Sequence, residues 1–438
     1  MITAQAFAGK HYAVYGLARS GLATVKALVA SGATVAAWDR NDEARETAVD
    51  EMTELSHDLG HVELKIRNLD EADLSRFDSL IVTPGLPLNR HPIAQRARDA
   101  GVEIIGDIEL FARSRPELPP HKVVGITGTN GKSTTTALIH HILETAGVPT
   151  TMGGNIGLPI LAQAPLPEGG VYVLELSSYQ IDLTKSLDCD VAVLLNITPD
   201  HLDRYESFEA YAASKGRLFR MQSEGHSAIA SASTEAASRQ LDDLEQFVTS
   251  VDAETYPDED QPHWPALQGP HNAENAAIAL NVCEFLGVPH ETIAEGLRTY
   301  PGLPHRMERI RERDGVLFVN DSKATNPTAT APALAAFDKI RWICGGQAKT
   351  DNLDECAPSF AHVRKAYTIG EAGELFASLL SPHMDVAECE TLERAVGEAA
   401  AEAEAGDTVL LSPACASFDQ FHDFEDRGDR FRALVGAL

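Results

Sequence analysis

The chain has 438 residues, of which 44% are hydrophobic and 23% are charged, and its formal net charge at pH 7 is −29. A chain of this length with an ordinary apolar content is expected to form two to four globular domains. The strong negative charge argues against binding to a nucleic-acid backbone, because such binding requires basic surfaces.

The same charge predicts a well-solvated surface, and adaptation to salt is an alternative explanation for it. No apolar run reaches the roughly 18 residues that a membrane-spanning helix needs, and the N-terminus lacks the pattern of a signal peptide. We therefore expect a cytoplasmic protein that does not insert into membranes. The six cysteines form no C-x-x-C pair, which predicts reduced thiols and not disulfides or a zinc site.

Three successive segments alternate strand-like and helix-like stretches, which is typical of parallel α/β sheets. A Pro-rich stretch at 113–121 and the sequence PGLP at 301–304 indicate boundaries between these segments. We predict an α/β fold with a Rossmann-like N-terminal domain (1–113), a central P-loop ATPase-type domain with a parallel sheet (114–302) and a Rossmann-like C-terminal domain (303–438). The predicted strands are 11–16, 34–39, 79–85, 103–106, 122–127, 171–176, 191–196, 315–321, 340–346, 366–370 and 407–413.

A glycine-bearing turn, VYGLARSG at 14–21, joins the first predicted strand to a helix. It is similar to a dinucleotide-binding fingerprint, but Ala18 replaces the middle glycine of G-x-G-x-x-G. An NAD-dependent oxidoreductase is therefore an alternative function, although it leaves the next motif unexplained.

The stretch GITGTNGKSTTT at 125–136 has the context of a phosphate-binding loop, because it follows an apolar strand and precedes a predicted helix. Its glycines allow backbone N–H groups to converge on phosphate oxygens, and the helix N-terminus adds a favourable dipole. We expect Lys132 to pair with the β- and γ-phosphates and Ser133 to offer its hydroxyl to Mg²⁺. The spacing departs from the strict G-x4-G-K-[ST] motif, since Ile126 occupies the first glycine position. A plain glycine-rich turn is the alternative.

The form GTNGKST resembles the phosphate loop of the Mur ligases and folylpolyglutamate synthetases, and further motifs in the family's order extend the resemblance from about residue 14 to 424. The resemblance implies ATP-dependent formation of an amide bond. It assigns the UDP-sugar to the first domain, ATP to the central domain and the incoming amino acid to the third. The ATP-binding residues that it implies are Gly128, Thr129, Asn130, Gly131, Lys132, Ser133, Thr134, Asn272, Arg306 and Asp321.

The resemblance also implies two Mg²⁺ ions, which prefer oxygen ligands. Glu175 ends a predicted strand and His201 follows the next one; their counterparts in the family hold the second Mg²⁺. By itself His201 would more often be a surface histidine. The segment YAASKGRLF at 211–219 resembles the family's Y-x-x-x-K element, whose lysine reacts with CO₂ to form a carbamate. The implied metal ligands are Ser133, Glu175, His201 and carbamylated Lys215, and the implied catalytic residues are Lys132, His201, Lys215 and Lys323.

Substrate-binding residues follow from the resemblance in the same way. The diphosphate of the UDP-sugar is expected at the start of the first-domain helix. The residues implied for the UDP-sugar are Arg19, Ser20, Asp39, Arg40, Thr83, Gly85 and Asn155. The segments NDSKATNP, GGQAKTDN and SPACASFDQF resemble the family members that bind D-glutamate, whose two carboxylates two lysines can neutralise. The residues implied for D-glutamate are Lys323, Thr325, Lys349, Ser417 and Phe424.

The function implied is ligation of D-glutamate to UDP-N-acetylmuramoyl-L-alanine through an acyl phosphate, with release of ADP and phosphate. This reaction belongs to cytoplasmic peptidoglycan precursor synthesis, and hence to cell-wall biogenesis, cell shape and cell division. We expect a monomer whose partners are these small molecules. The alternatives are a sister ligase that adds another amino acid, a folate polyglutamate synthetase and a non-catalytic nucleotide-regulated binding protein.

Overall fold

The computed structural model describes residues 1–59, 63–200, 203–242, 244–251 and 260–438. The described residues form two compact units, one drawn from 1–255 and 277–296 and the other from 256–276 and 297–438. The first unit contains two sheets and the second unit contains one. Among the described residues, no helix has the length and apolar character needed to cross a membrane.

The first sheet has five parallel strands in the order β3-β2-β1-β4-β5. Its central strands are buried along most of their length, as expected where helices cover both faces of a parallel sheet. The elements are β1 (His11–Tyr15), α1 (Arg19–Ala30), β2 (Thr34–Trp38), α2 (Asp42–Leu59), β3 (Leu64–Ile66), β4 (Ser79–Val82), α3 (Pro92–Asp99), β5 (Glu103–Ile105) and α4 (Asp107–Ser114).

The second sheet has six parallel strands in the order β11-β10-β9-β6-β8-β7. Three central strands carry the predicted functional segments at their carboxyl ends, which therefore meet at one edge of the sheet. The strands are β6 (His121–Thr127), β7 (Thr150–Gly154), β8 (Gly170–Glu175), β9 (Val191–Leu194), β10 (Ser227–Ser231) and β11 (Phe247–Val251). The helices along this part of the chain are α5 (Lys132–Thr145), α6 (Ser178–Asp182), α7 (Phe208–Arg220), α8 (Glu235–Ser238), α9 (Pro270–Phe285) and α10 (His290–Thr299).

The third sheet is mixed, with the order β12-β13-β17-β14-β15-β16. Its elements are β12 (Glu308–Arg313), β13 (Val316–Asn320), α11 (Pro327–Ala335), β14 (Ile340–Gly345), β15 (Val363–Ile369), α12 (Gly373–Leu380), β16 (Asp385–Glu390), α13 (Leu392–Glu402), β17 (Thr408–Leu411) and α14 (Phe424–Ala437). Strand β12 pairs antiparallel with β13. The two residues between them, Asp314 and Gly315, both have positive φ angles (52° and 76°), as a two-residue hairpin requires.

Each of the eleven strands predicted from the sequence overlaps a strand of the structure. The sequence prediction missed β3, β7, β10, β11, β12 and β16, and five of these six lie at sheet edges. Strand β12, which the sequence prediction did not include, is the antiparallel member of the third sheet, because a tight hairpin reverses the chain there. The boundaries predicted for the three domains stay predictions.

The turn from β1 to α1 depends on two glycines. Gly16 has a φ of 99°, and a Cβ placed on Gly21 would lie 1.8 Å from the carbonyl oxygen of Gly16. The helix therefore begins directly against the strand end, which positions its first N–H groups at the carboxyl edge of the first sheet.

We expect Gly21→Ala to destabilise the protein by at least about 2 kcal/mol, because the backbone has to move to admit the methyl group. Gly397→Ala is the matched control, since Gly397 also lies in a helix but a Cβ there meets no atom within 4 Å. The control should be neutral or stabilising by about 0.5–1 kcal/mol. Thermal unfolding of both variants measures the difference; equal melting temperatures would contradict the close contact at Gly21.

Candidate active site

The predicted phosphate loop connects β6 to α5 in the first unit. Gly131, with a φ of 82°, is the N-cap of α5, so the positive end of the helix dipole lies at the loop, an arrangement that favours an anion. The loop is held against the end of β9: Thr129 N–H donates to the Asn196 carbonyl at 2.8 Å, and Asn130 N–H donates to the Asn196 side chain at 2.9 Å. Asn196 was not among the predicted site residues, yet it fixes the shape of the loop.

Two lysine side chains converge on this loop. Lys132 Nζ donates to the carbonyl oxygens of Gly128 at 3.0 Å and Thr129 at 2.7 Å. Lys215 Nζ, from α7, donates to the same Gly128 carbonyl at 2.7 Å and lies 4.7 Å from the ring centre of Tyr211. The structure therefore brings the predicted carbamate-forming lysine directly to the predicted phosphate-binding loop.

The Lys215 side chain is 2% exposed. Its burial lowers the pKa of Lys215 well below the ordinary value, and the positive charge of Lys132 lowers it further, while Asp200 and Asp182 act in the opposite direction. A lysine with a lowered pKa has a larger neutral fraction, and only the neutral amine is nucleophilic.

Glu175 ends β8 and is buried. Its Oε1 atom accepts a hydrogen bond of 2.8 Å from Asn155 Nδ2, and Asn155 N–H donates to the Glu175 carbonyl at 2.8 Å. The predicted metal ligand and the predicted sugar-substrate residue are therefore adjacent. The Oε2 atom of Glu175 is buried and has no hydrogen-bond partner among the residues that the structure describes. A buried carboxylate oxygen of this kind is costly unless a cation or donor satisfies it, which fits a Mg²⁺ ligand.

The remaining predicted metal ligands are less completely described. Ser133 is buried at the start of α5. His201 lies outside the described residues, so its predicted role stays a prediction. Within the described ranges, no group of three or more His, Cys, Asp and Glu side chains is placed to hold a metal ion. The predicted Mg²⁺ ligands would not form such a group. They include one carboxylate and one histidine, and the other two are a hydroxyl and a carbamylated lysine.

The predicted UDP-sugar residues lie at the carboxyl edge of the first sheet and beside the central domain. Asp39 accepts hydrogen bonds from the N–H groups of Leu17 (2.7 Å) and Asn41 (2.9 Å), so its carboxylate shapes the turn after β1. Arg19 donates to the Gly157 carbonyl at 2.7 Å, two residues from Asn155. The first-domain turn and the central GGNIG segment therefore form one contiguous group.

Other predicted members of this group surround the same turn. Arg40 donates to His91 Nε2 at 3.0 Å. Thr83 packs closely against Gly16, since a Cβ added to Gly16 would lie 2.3 Å from Thr83 Oγ1. A small pocket behind the turn is lined by Ser20, Thr83 and the unpredicted Asp107. Desolvation of the fully buried Asp107 raises its pKa to about 6, although backbone N–H groups partly offset this effect.

The second unit contains the other group of predicted residues. Asp321 follows β13 and accepts hydrogen bonds from Ser412 Oγ (2.8 Å) and the Met307 N–H (3.1 Å). Burial raises the pKa of Asp321 to about 7, against the opposing effects of these bonds and of Arg306. Arg306 lies between two residues with left-handed φ angles, His305 (62°) and Met307 (49°). Such strained backbone persists only where surrounding contacts impose it.

Asn272 and Asn275 lie one turn apart on α9, as predicted. Asn275 Nδ2 donates to Asn272 Oδ1 at 3.1 Å, and Asn272 Nδ2 donates to the Gln268 carbonyl at 3.0 Å. Both side chains are buried, so the pair forms an ordered amide group near the start of the helix.

Four of the five residues predicted to bind D-glutamate form two pairs in the second unit. Lys323 Nζ lies 3.8 Å from the ring centre of Phe424, and Lys349 Nζ donates to Thr325 Oγ1 at 3.3 Å. Ser417 is buried in the loop that follows β17. Each pair places an ammonium group beside an aromatic ring or a hydroxyl, which suits a ligand with two separated carboxylates.

Arg427, on α14, was not predicted and joins the loops that carry these residues. Its guanidinium donates to Ser322 Oγ (3.0 Å) and to the carbonyls of Ser322 (2.9 Å), Cys415 (3.0 Å) and Ala416 (3.3 Å). The side chain is 1% exposed, and burial lowers its pKa to about 10. In the sequence it has the appearance of a surface arginine on an acidic helix, so no signal distinguished it.

Three family models match successive parts of the chain: a Mur ligase MurD-like N-terminal domain (10–106), a Mur ligase middle domain (126–283) and a Mur ligase glutamate ligase domain (305–415). A curated protein of Novosphingobium aromaticivorans, UDP-N-acetylmuramoylalanine–D-glutamate ligase, is 57% identical over 443 residues, covering 100% of this chain and 97% of that protein. The chain belongs to the Mur ligase family.

Other Mur ligases agree with this assignment. The protein of the same name from Zymomonas mobilis is 55% identical over 443 residues, covering 100% of both chains. Two solved Mur ligases of Thermotoga maritima share the fold at 17% identity and each cover 98% of this chain. UDP-N-acetylmuramate–alanine ligase MurC has a TM-score of 0.58 and is itself covered to 99%, and MurF ligase in complex with ADP has a TM-score of 0.59 and is covered to 96%. The predicted three-domain α/β fold is therefore confirmed.

A pH-dependent stability follows from Asp107 in this Mur ligase. Because its folded pKa is raised to about 6 from an ordinary 3.8, the folded state binds the proton more tightly than the unfolded chain. The resulting stabilisation is complete below about pH 4 and is lost as the pH rises through 6. Asp107→Asn should therefore be more stable than the wild type above pH 6, by about 1–3 kcal/mol, and lose this advantage below pH 4.

Urea unfolding between pH 4 and pH 8 measures this difference. The exposed Asp50→Asn controls for the loss of one negative charge. A constant difference between Asp107→Asn and the wild type across this range would contradict a buried carboxyl that titrates near pH 6.

Proposed function

We propose that the protein is an ATP-dependent ligase that joins D-glutamate to UDP-N-acetylmuramoyl-L-alanine in peptidoglycan precursor synthesis. The observation that carries the proposal is the full-length identity of 57% to a protein named UDP-N-acetylmuramoylalanine–D-glutamate ligase, which spans all three domains. The two lysines of the second unit, Lys323 beside Phe424 and Lys349 beside Thr325, support D-glutamate as the amino acid. We further propose that it acts as a cytoplasmic monomer.

The reaction has two steps. An oxygen of the alanyl carboxylate attacks the γ-phosphorus of ATP, ADP leaves, and an acyl phosphate forms. The D-glutamate amine then attacks the acyl carbon, loses a proton, and the tetrahedral intermediate collapses with release of phosphate. The first step concentrates negative charge on the transferring phosphoryl group. Stabilising that charge is the main requirement that the reaction places on the protein.

The phosphate loop meets this demand from one side. The N–H groups at the start of α5 and the ammonium of Lys132 bind phosphate oxygens, and Asn130 and Asn196 hold the loop in the required shape. Asn272, Arg306 and Asp321 are also proposed to be ATP-binding residues. The guanidinium of Arg306 suits the geometry of phosphate oxygens.

Ser133, Glu175, His201 and carbamylated Lys215 are proposed to hold two Mg²⁺ ions, whose charge would neutralise phosphate oxygens during the transfer. The buried, unpaired Oε2 of Glu175 supports this role. Lys215 is suited to carbamate formation because its pKa is lowered and its Nζ lies beside the loop. Carbamylation turns the Lys215 amine into an anion, which would be attracted to the positive charge of Lys132.

The two lysines of the second unit are proposed to bind D-glutamate through its two carboxylates, with Thr325, Ser417 and Phe424 shaping the pocket. Lys349 would then contact the side-chain carboxylate and Lys323 would act near the reacting centre. This arrangement leaves the amine free to attack the acyl phosphate. His201 is proposed to orient that amine or its proton.

The proposed function predicts phosphate release from ATP and Mg²⁺ that depends on both UDP-N-acetylmuramoyl-L-alanine and D-glutamate. L-glutamate, L-lysine and meso-diaminopimelate should support less than about 1% of the D-glutamate rate, because each of them misplaces or lacks a group that the two lysines are proposed to hold. Phosphate release with another amino acid would indicate a sister ligase. ATP binding without turnover on any substrate would indicate a nucleotide-regulated binding protein.

The carbamate proposal predicts that Lys215→Arg lowers kcat by about 100-fold or more, since arginine keeps the charge but cannot react with CO₂. Lys122→Arg is the matched control, because Lys122 is exposed on β6. ¹³C NMR of the wild type in labelled bicarbonate should show a carbamate signal that is absent from Lys215→Arg and present in the control. Equal signals in the wild type and Lys215→Arg would exclude Lys215 as the carbamate site.

A further inference from the structure

A short segment of the central domain, Asp203–Tyr205, contacts the first domain within the same compact unit. The Asp203 carbonyl accepts hydrogen bonds from Asn89 Nδ2 at 3.0 Å and Arg90 Nη2 at 2.9 Å. Arg204 reaches further along the same loop. Its guanidinium donates to three successive carbonyls, those of Pro84 (3.3 Å), Gly85 (3.4 Å) and Leu86 (2.9 Å).

These three carbonyls belong to a turn that is predicted to bind the UDP-sugar. The turn begins at Thr83, whose carbonyl accepts the Leu86 N–H at 3.1 Å, and it contains Gly85, so two of the residues predicted to bind the UDP-sugar lie in it. A planar guanidinium with several donors can hold successive carbonyls at once, whereas a lysine ammonium offers one compact charge. Arg204 therefore joins this turn to the central domain through several hydrogen bonds at once.

The guanidinium of Arg204 is itself held on an aromatic surface. Its central carbon lies 4.3 Å from the ring centre of Tyr179, which stacks on Tyr205 with ring centres 6.1 Å apart and planes 14° apart. Tyr205 OH donates to Asp182 Oδ2 at 2.8 Å. These contacts restrict the arginine to one orientation and so make its hydrogen bonds selective for one position of the turn.

The same tyrosines lead to the phosphate loop. The rings of Tyr205 and Tyr211 lie 5.3 Å apart, and the hydroxyl of Tyr211 shares a hydrogen bond of 3.2 Å with Thr129 Oγ1. Direct contacts therefore run without a break from the turn at 84–86, through Arg204 and three tyrosines, to the loop proposed to bind the ATP phosphates.

We propose that Arg204 is a positioning residue. It fixes the turn at 83–86, which is predicted to bind the sugar-nucleotide, relative to the phosphate loop. This inference rests on the proposed function, in which the alanyl carboxylate must lie within reach of the γ-phosphate. A misplacement of about 1 Å in such a geometry costs on the order of 100-fold in rate. Arg204 contacts neither reactant in this scheme; it acts through the turn that binds the sugar-nucleotide.

Arg204→Met removes the donors but retains much of the aliphatic stem. We expect kcat/KM for UDP-N-acetylmuramoyl-L-alanine to fall at least tenfold, while the KM values for ATP and D-glutamate stay within twofold. Calorimetric titration of the sugar-nucleotide should show weaker binding as well. Arg204→Lys should be intermediate, because it retains the charge over Tyr179 but can hold fewer carbonyls.

Arg96→Met is the matched control. Arg96 also donates to backbone carbonyls, those of Leu69 and Ala72, but all of these lie within the first domain. A purely structural role lowers the melting temperature and the active fraction without a selective change in kcat/KM for one substrate, and we expect that result for Arg96→Met alone.

Tyr179→Leu tests the aromatic support. It should reduce kcat/KM for the sugar-nucleotide less than Arg204→Met does, and the double variant should be no worse than Arg204→Met, because both changes disturb the same contact.

The inference is rejected if Arg204→Met retains kcat/KM for the sugar-nucleotide within twofold of the wild type, or if Arg96→Met shows the same selective loss. Absence of turnover by the wild type with these substrates is a different result, since it would reject the proposed function and this inference with it.

Discussion

Two lysine side chains meet at one carbonyl oxygen, that of Gly128, and the proposed chemistry of the phosphate loop depends on this meeting. Lys132 approaches it from the start of α5 and Lys215 from α7. Two like charges in a buried place repel each other, so the arrangement is stable only if one amine is neutral or anions compensate it. A triphosphate and a lysine carbamate are anions that satisfy this requirement. The geometry is therefore compatible with both of these proposed anions.

Around this point, backbone contacts impose the positions of the functional side chains. Asn196 holds the phosphate loop by main-chain and side-chain bonds, and Asn155 joins Glu175 to the segment that Arg19 contacts. In the second unit, Arg427 has the corresponding role for the loops that contain Ser322 and Cys415. A net charge of −29 is thereby compatible with anionic ligands, because cations are concentrated where the loops converge.

The sequence predicted the buried strands better than the exposed ones, for a physical reason. Strands β8 and β9 are buried along their whole length and appear as unbroken apolar runs. The missed edge strands β11 and β12 are largely exposed, so their residues do not have to be apolar. The hairpin between β12 and β13 did carry a signal, the dipeptide Asp314–Gly315, which favours a two-residue turn. That signal would have predicted the antiparallel edge of the third sheet.

The sequence by itself determined the fold class and the family and predicted the chemical types of the site residues, because strand-end glycines, lysines and carboxylates stand in short motifs that local geometry requires. Only the tertiary structure decided which of them meet. The bonds of Lys215 to Gly128, of Asn155 to Glu175, of Arg204 to Leu86 and of Arg427 to Ser322 join residues 20 to 118 positions apart. Such pairings depend on the packing of helices and sheets, and burial then sets the pKa values of Lys215, Asp107 and Asp321. No local pattern in the chain contains that information.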